Sequence, residues 1–61
     1  MKKDYNIYNK KNVKILLVDG NEISGIVFLH KMEYPERLIF EVNAKFYEEF
    51  QVRNIEEIDN I

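Results

Sequence analysis

The side chains able to do chemistry in this 61-residue chain are few: one histidine, His30, one serine, Ser24, no threonine and no cysteine. Catalysis asks for an activated nucleophile, a tuned acid or base, or a metal, and each of these needs several such groups within reach of one another. The carboxylates come as adjacent pairs, Glu48-Glu49 and Glu56-Glu57. Neighbours on a strand point to opposite faces, so neither pair converges on one substrate atom, and both read as solvated surface charge. His30, beside Lys31, reads as a rim residue. With no thiolate available and one imidazole, a structural zinc site has too few of its usual ligands, and His30 together with Glu33 would bind a metal only by accident. The sequence argues against an enzyme and calls for no metal or cofactor.

A second kind of chemistry is contact with charge. Lys2, Lys3, Lys10, Lys11 and Lys14 stand against Asp4 in the first fourteen residues, whereas residues 41–61 hold six acids against Lys45 and Arg53. Such a split favours contact between the basic start and the acidic end, of another copy or of the same chain, and it equally describes two solvated faces. Lys10 and Lys11 interleave with Tyr8 and Tyr5, a pairing of phosphate contact with a stacking platform that suits nucleic acid. The sequence pI of 5.3 lies well below that of dedicated binders. The two tyrosines read first as residues that dock a short helix.

The elements that position these groups are organised around Val13 to His30. Val13, Ile15 and Leu17 alternate with Lys14, Leu16 and Val18, the period of a strand. Asp19-Gly20 between apolar runs is a strong hairpin signal, because the tight turn needs positive φ. The returning strand, Ile23 to about His30, puts Ile23, Gly25, Val27 and Leu29 on one face and Ser24, Ile26, Phe28 and His30 on the other. Both faces are largely apolar, which predicts a strand that curls and whose outer face is covered by another element or subunit. Gly25 marks the place for the bend.

Around that hairpin, residues 1–12 predict a short N-terminal helix capped by Asp4, with Ile7 and Tyr8 or Tyr5 on the barrel. The stretch 31–36 contains Pro35 and is expected to be a loop. Arg37 to Val42 forms a third strand with Leu38, Phe40 and Val42 on one face. Asn43-Ala44-Lys45 is expected to turn the chain into a fourth strand, Phe46 to Arg53, with Phe46, Phe50 and Val52 inward and Tyr47 outward. Glu48 falls on the inward side and breaks that pattern. A helix over 44–58 competes, since Phe46 and Phe50 lie four apart and Val52, Ile55 and Ile58 three apart. In the strand reading, 54–57 is a 3₁₀ turn and Ile58 to Ile61 a last strand that closes against the first.

The pattern of Val13, Ile15, Leu17, Asp19, Gly20, Gly25 and Val27, with Ile55 and Ile58, resembles the Sm-like family of small β-barrels, and the same pattern serves other five-stranded barrels of the Src-homology type. The expected fold is thus one mostly β domain over residues 1–61: a short helix or arm over 1–12, and a five-stranded barrel over 13–61. Members of the Sm-like family assemble by pairing exposed edge strands and bind single-stranded RNA through an Asp/Asn motif and an Arg-Gly motif. Here His30, Lys31, Met32 and Glu33 stand in place of the first, and Val52-Arg53-Asn54 lacks the glycine of the second. Arg53 is the one residue the resemblance carries over. It implies ring assembly more than RNA binding.

The chain reads as near the lower size limit for folding alone, so self-association is the expected staple. The function expected is a non-enzymatic assembly or protein-binding module, with self-association through edge strands or a protein partner. The alternative is an Sm-like nucleic-acid binder using Lys10, Lys11, Tyr8 and Arg53. No apolar run approaches the ~20 residues that span a bilayer, and Met1-Lys2-Lys3 runs into Asp4 and Tyr5 instead of an apolar core. A cytoplasmic protein without membrane contact is therefore expected.

Overall fold

A computed structural model of the chain describes residues 4–58. They form five strands: β1 (Asn12–Leu17), β2 (Glu22–Glu33), β3 (Glu36–Val42), β4 (Lys45–Glu48) and β5 (Val52–Glu57), with 3₁₀ turns at Tyr5–Tyr8 and Glu49–Gln51. The sheet is antiparallel in the order β4-β3-β2-β1-β5. Among these residues no helix is long and apolar enough to cross a membrane.

The first hairpin forms where the alternation placed it. Val13, Ile15 and Leu17 are buried on one face of β1. The turn closes with Gly20 N–H donating to the Leu17 carbonyl at 3.0 Å and Leu17 N–H to that of Asn21 at 2.8 Å. Gly20 takes φ +93°, where a Cβ would crowd the backbone. Asp19 does not need that conformation; its carboxylate instead accepts from the Asn21 N–H at 2.9 Å.

β2 is the long element, and it belongs to two halves of the sheet. Residues Glu22 to Ile26 pair with β1 and Val27 to Glu33 with β3, so the strand must bend between them. Gly25 lies at the bend with φ +150°, and a Cβ there would come within 2.8 Å of Asn43 Oδ1 and 3.2 Å of Val42 Cγ1. The glycine both bends β2 and admits the β3–β4 turn against it.

The curled sheet wraps a core of Val13, Ile15, Leu17, Val27, Phe40, Val42 and Ile55. Tyr5 and Tyr8 pack against it from the N-terminal turn, Tyr5 edge-on to Phe40 with ring centroids 5.2 Å apart. Asp4 caps that turn by accepting from the Asn6 N–H at 2.9 Å.

Several expectations are corrected. The barrel is not closed: β1 pairs with β5 as the closing strand was meant to, but among the described residues no ladder joins β4 to β5, so the sheet they form has two free ends. The N-terminal helix is only the four-residue 3₁₀ turn, and Ile7 is exposed. The loop over 31–36 shrinks to the turn Tyr34-Pro35, whose peptide bond is cis, because β2 runs on to Glu33 and β3 starts at Glu36. The 3₁₀ turn lies at Glu49–Gln51 and not at 54–57, which belong to β5; residues 59–61 of the expected last strand lie outside the described residues. This arrangement also replaces the competing helix over 44–58.

The fourth strand is shorter than expected and faces the other way. Asn43 (φ +56°) and Ala44 (φ +64°) make a two-residue turn, with Val42 opposite Lys45. Two positive-φ residues give the tight hairpin whose twist matches the sheet. A turn of two residues in place of three moves every following side chain to the opposite face. Tyr47 therefore packs against the core while Phe46 faces outward, and Phe50 in the second 3₁₀ turn is exposed. Glu48 turns outward as well, which resolves its misfit.

Candidate association surfaces

Two features of the sheet stay unpaired or uncovered among the described residues: its free edges and its outer face. At one edge, Ile58 N–H donates to the Asn12 carbonyl at 2.8 Å. Antiparallel ladders alternate every second residue, so the amides of Asn54 and Glu56 turn toward β1 and those of Ile55 and Glu57 turn away from the sheet. At the other edge, the same alternation from the Val42–Lys45 pair turns the amides of Phe46 and Glu48 outward. Glu48 N–H is taken by Gln51 Oε1 at 2.9 Å, half of a capping box that folds the chain into the second 3₁₀ turn. The β4 edge is thus blunted down to Phe46, while β5 keeps the longer run.

The outer face of β2, β3 and β4 is set by register. Phe28, Glu41 and Phe46 lie in one row across the three strands, and His30, Ile39 and Glu48 in the next. Met32 faces Arg37 across the β2–β3 hairpin. His30 Nε2 lies 2.7 Å from Glu41 Oε1, and the imidazole stands 6.1 Å from the Phe46 ring. Arg37 grips Glu48 bidentately, Nε donating to Oε1 at 2.9 Å and Nη2 to Oε2. That hydrogen bond, with the carboxylate charge, raises the Arg37 pKa above its ordinary value.

The chemical candidates from the sequence disperse over this frame. His30 is a half-exposed face residue bonded to Glu41, neither a rim residue nor part of an acid cluster; no group of three His, Asp or Glu able to hold a metal occurs among the described residues. Glu48 serves Arg37, Glu56 lies 3.2 Å from Lys14 Nζ, and Glu57 lies 3.6 Å from Lys11 Nζ. The basic start and the acidic end therefore meet within one chain. A shallow cleft of about 340 Å³ lies beside the N-terminal turn, lined by Tyr5, Lys31, Arg37, Leu38 and Glu49 among others. Burial pushes the Tyr5 phenol above its ordinary pKa, with Glu49 and Tyr8 adding to the effect.

The residues named for nucleic acid fall in different places. Tyr8 is half-buried against the core. Lys10 takes φ +65° and donates its backbone N–H to Val27 at 2.7 Å, so its position is fixed by the backbone. Lys11 lies beside Glu57 at one end of β5, and Arg53 is exposed at the other end. What the sequence reading missed was the outward placement of Phe46, which joins Phe28, and the Arg37–Glu48 bond. The signals were present in the two-sided apolarity of β2 and in Glu48 on the wrong face.

Compared with known protein families, curated proteins and solved structures, the chain matches none of them.

Proposed function

We propose that this chain is a non-enzymatic assembly module of Sm-like type, whose copies join through the free edges of the sheet. The observation that carries this reading is an open five-stranded sheet whose β5 edge presents the outward amides of Ile55 and Glu57. Such an edge is a template for another strand. The strand order, the bend of β2 at Gly25 and the 3₁₀ turn leading into the last strand support the kinship with Sm-like barrels. A core of seven buried side chains among the described residues favours stabilisation by association. The nucleic-acid reading has less support, because Lys11 and Lys14 already face acids of their own chain.

The test is the solution mass by size-exclusion chromatography with light scattering, at micromolar concentration and at low and high salt, together with titration of a uridine-rich single strand. A defined oligomer that survives high salt, with no strand bound, is the expected result. A monomer in both salts would refute assembly, and salt-sensitive binding of the strand would replace it with the nucleic-acid reading.

A further inference from the structure

We infer that the outer face of β2–β3–β4 is a second interface, separate from the edges, at which two copies of this chain pack face to face about a two-fold axis. Phe28, Phe46, Ile26 and Met32 are respectively 44%, 65%, 45% and 43% exposed, and Ile39 lies half-buried among them in the register of the sheet. Large apolar side chains gathered on one sheet face mark a contact surface.

The polar groups of this face identify the occupant. His30 and Glu41 are bonded to each other, and Arg37 and Glu48 likewise. These partners lie within one chain, so the face does not call for a charged ligand. Phosphate finds the Arg37 guanidinium already engaged by Glu48, and a second carboxylate, Glu41, on the same face, which disfavours nucleic acid and anionic lipid alike. An apolar face with internally paired charge is complementary to itself, and two such sheets stack about 10 Å apart. Interdigitated across a two-fold axis, the rows Phe28–Glu41–Phe46 of the two copies bury the rings against each other.

The area is sufficient. With roughly 150–250 Å² for each phenylalanine, the exposed parts of Phe28 and Phe46 amount to about 200 Å². Ile26 and Met32 raise the patch to roughly 350 Å² per protomer. Interfaces are about 60% apolar, so two patches correspond to roughly 1,200 Å² of buried surface, the lower bound for a specific interface.

The experiment compares full-length wild type, Phe28→Lys, Phe46→Lys and Glu57→Pro by light scattering over a dilution series, with circular dichroism to verify folding. Either lysine lies opposite Glu41 across the ladder and is compatible with the sheet. Phe46→Lys, at the more exposed site, carries the test where Phe28→Lys fails to fold. Glu57→Pro removes an outward amide from an edge strand and leaves the face intact. The expected result is that the lysine variants weaken face pairing about thirtyfold or more, halving the mass at concentrations where wild type is paired. Masses unchanged by folded lysine variants would overturn the face interface, whatever Glu57→Pro does. A mass lowered by the lysines but not by the proline would leave this interface standing and remove the edge reading. A wild type monomeric at every concentration would overturn both.

Discussion

Val27 and Phe28 are neighbours on one strand, yet Val27 is fully buried and Phe28 is nearly half exposed. The same contrast runs through the sheet, with Val13, Ile15, Phe40 and Val42 on the inner face and Ile26, Ile39 and Phe46 on the outer. The inner face is finished by its own chain, including Tyr5 and Tyr8 from the N-terminal turn. The outer face has no covering element among the described residues. Similar apolar content thus stands in two settings: one face packs the core, and the other is uncovered among the described residues.

Stability measurements sharpen this contrast most strongly at the two phenylalanines. Phe40→Ala removes a fully buried ring and should destabilise by about 3–5 kcal/mol, a large share of the stability of a small domain. Phe46→Ala should change monomer stability by about 0.5 kcal/mol or less. Urea unfolding at a concentration too low for association measures both, and equal losses would break the distinction between the faces.

The glycines divide along the same line. Gly25→Ala places a Cβ against the Asn43 carboxamide and Val42 and should lose more than about 1 kcal/mol, part of it recovered in Gly25→Ala/Asn43→Ala. Gly20→Val meets open space, so only the backbone penalty remains, about 1–2 kcal/mol. An unchanged melting temperature for Gly20→Val would refute the turn geometry.

The smallest effect is at Tyr5. Its folded pKa is raised, so the native state holds the phenolic proton more tightly than the unfolded chain. The stability this contributes is fully present below the unfolded value near 10 and is lost as pH rises through the higher folded value. Tyr5→Phe should therefore soften the fall in melting temperature above pH 10 and leave the curve near neutrality parallel to wild type.

The first hairpin, the bend at Gly25 and the inner face of β3 were legible because local rules set them: period-two alternation, a turn that needs positive φ, and a residue without Cβ. The second half was not, and the cause is one residue of turn length. Ala44 at positive φ is an uncommon choice, so nothing in Asn43-Ala44-Lys45 announced a two-residue turn. With a three-residue turn Phe46 goes inward; with two it becomes part of the outer face. The misplaced Glu48 was the legible sign of this, since turning it outward brings it to Arg37. The position of the second 3₁₀ turn depended on Gln51 reaching the Glu48 amide, a tertiary detail that threefold spacing of isoleucines does not reveal. The outer face was legible only as the two-sided apolarity of β2, whereas pairing through edge strands was among the expectations drawn from the sequence.

The central claim is that the β5 edge joins copies of this chain. Amide hydrogen exchange of Ile55 and Glu57, followed by NMR in dilute and concentrated samples, tests it most directly, because these amides gain partners only when another strand pairs with them. The account predicts that their exchange slows severalfold or more with concentration while the already bonded amides of Asn54 and Glu56 change less. Exchange of Ile55 and Glu57 that is fast and independent of concentration, in a sample whose mass shows association, would contradict it.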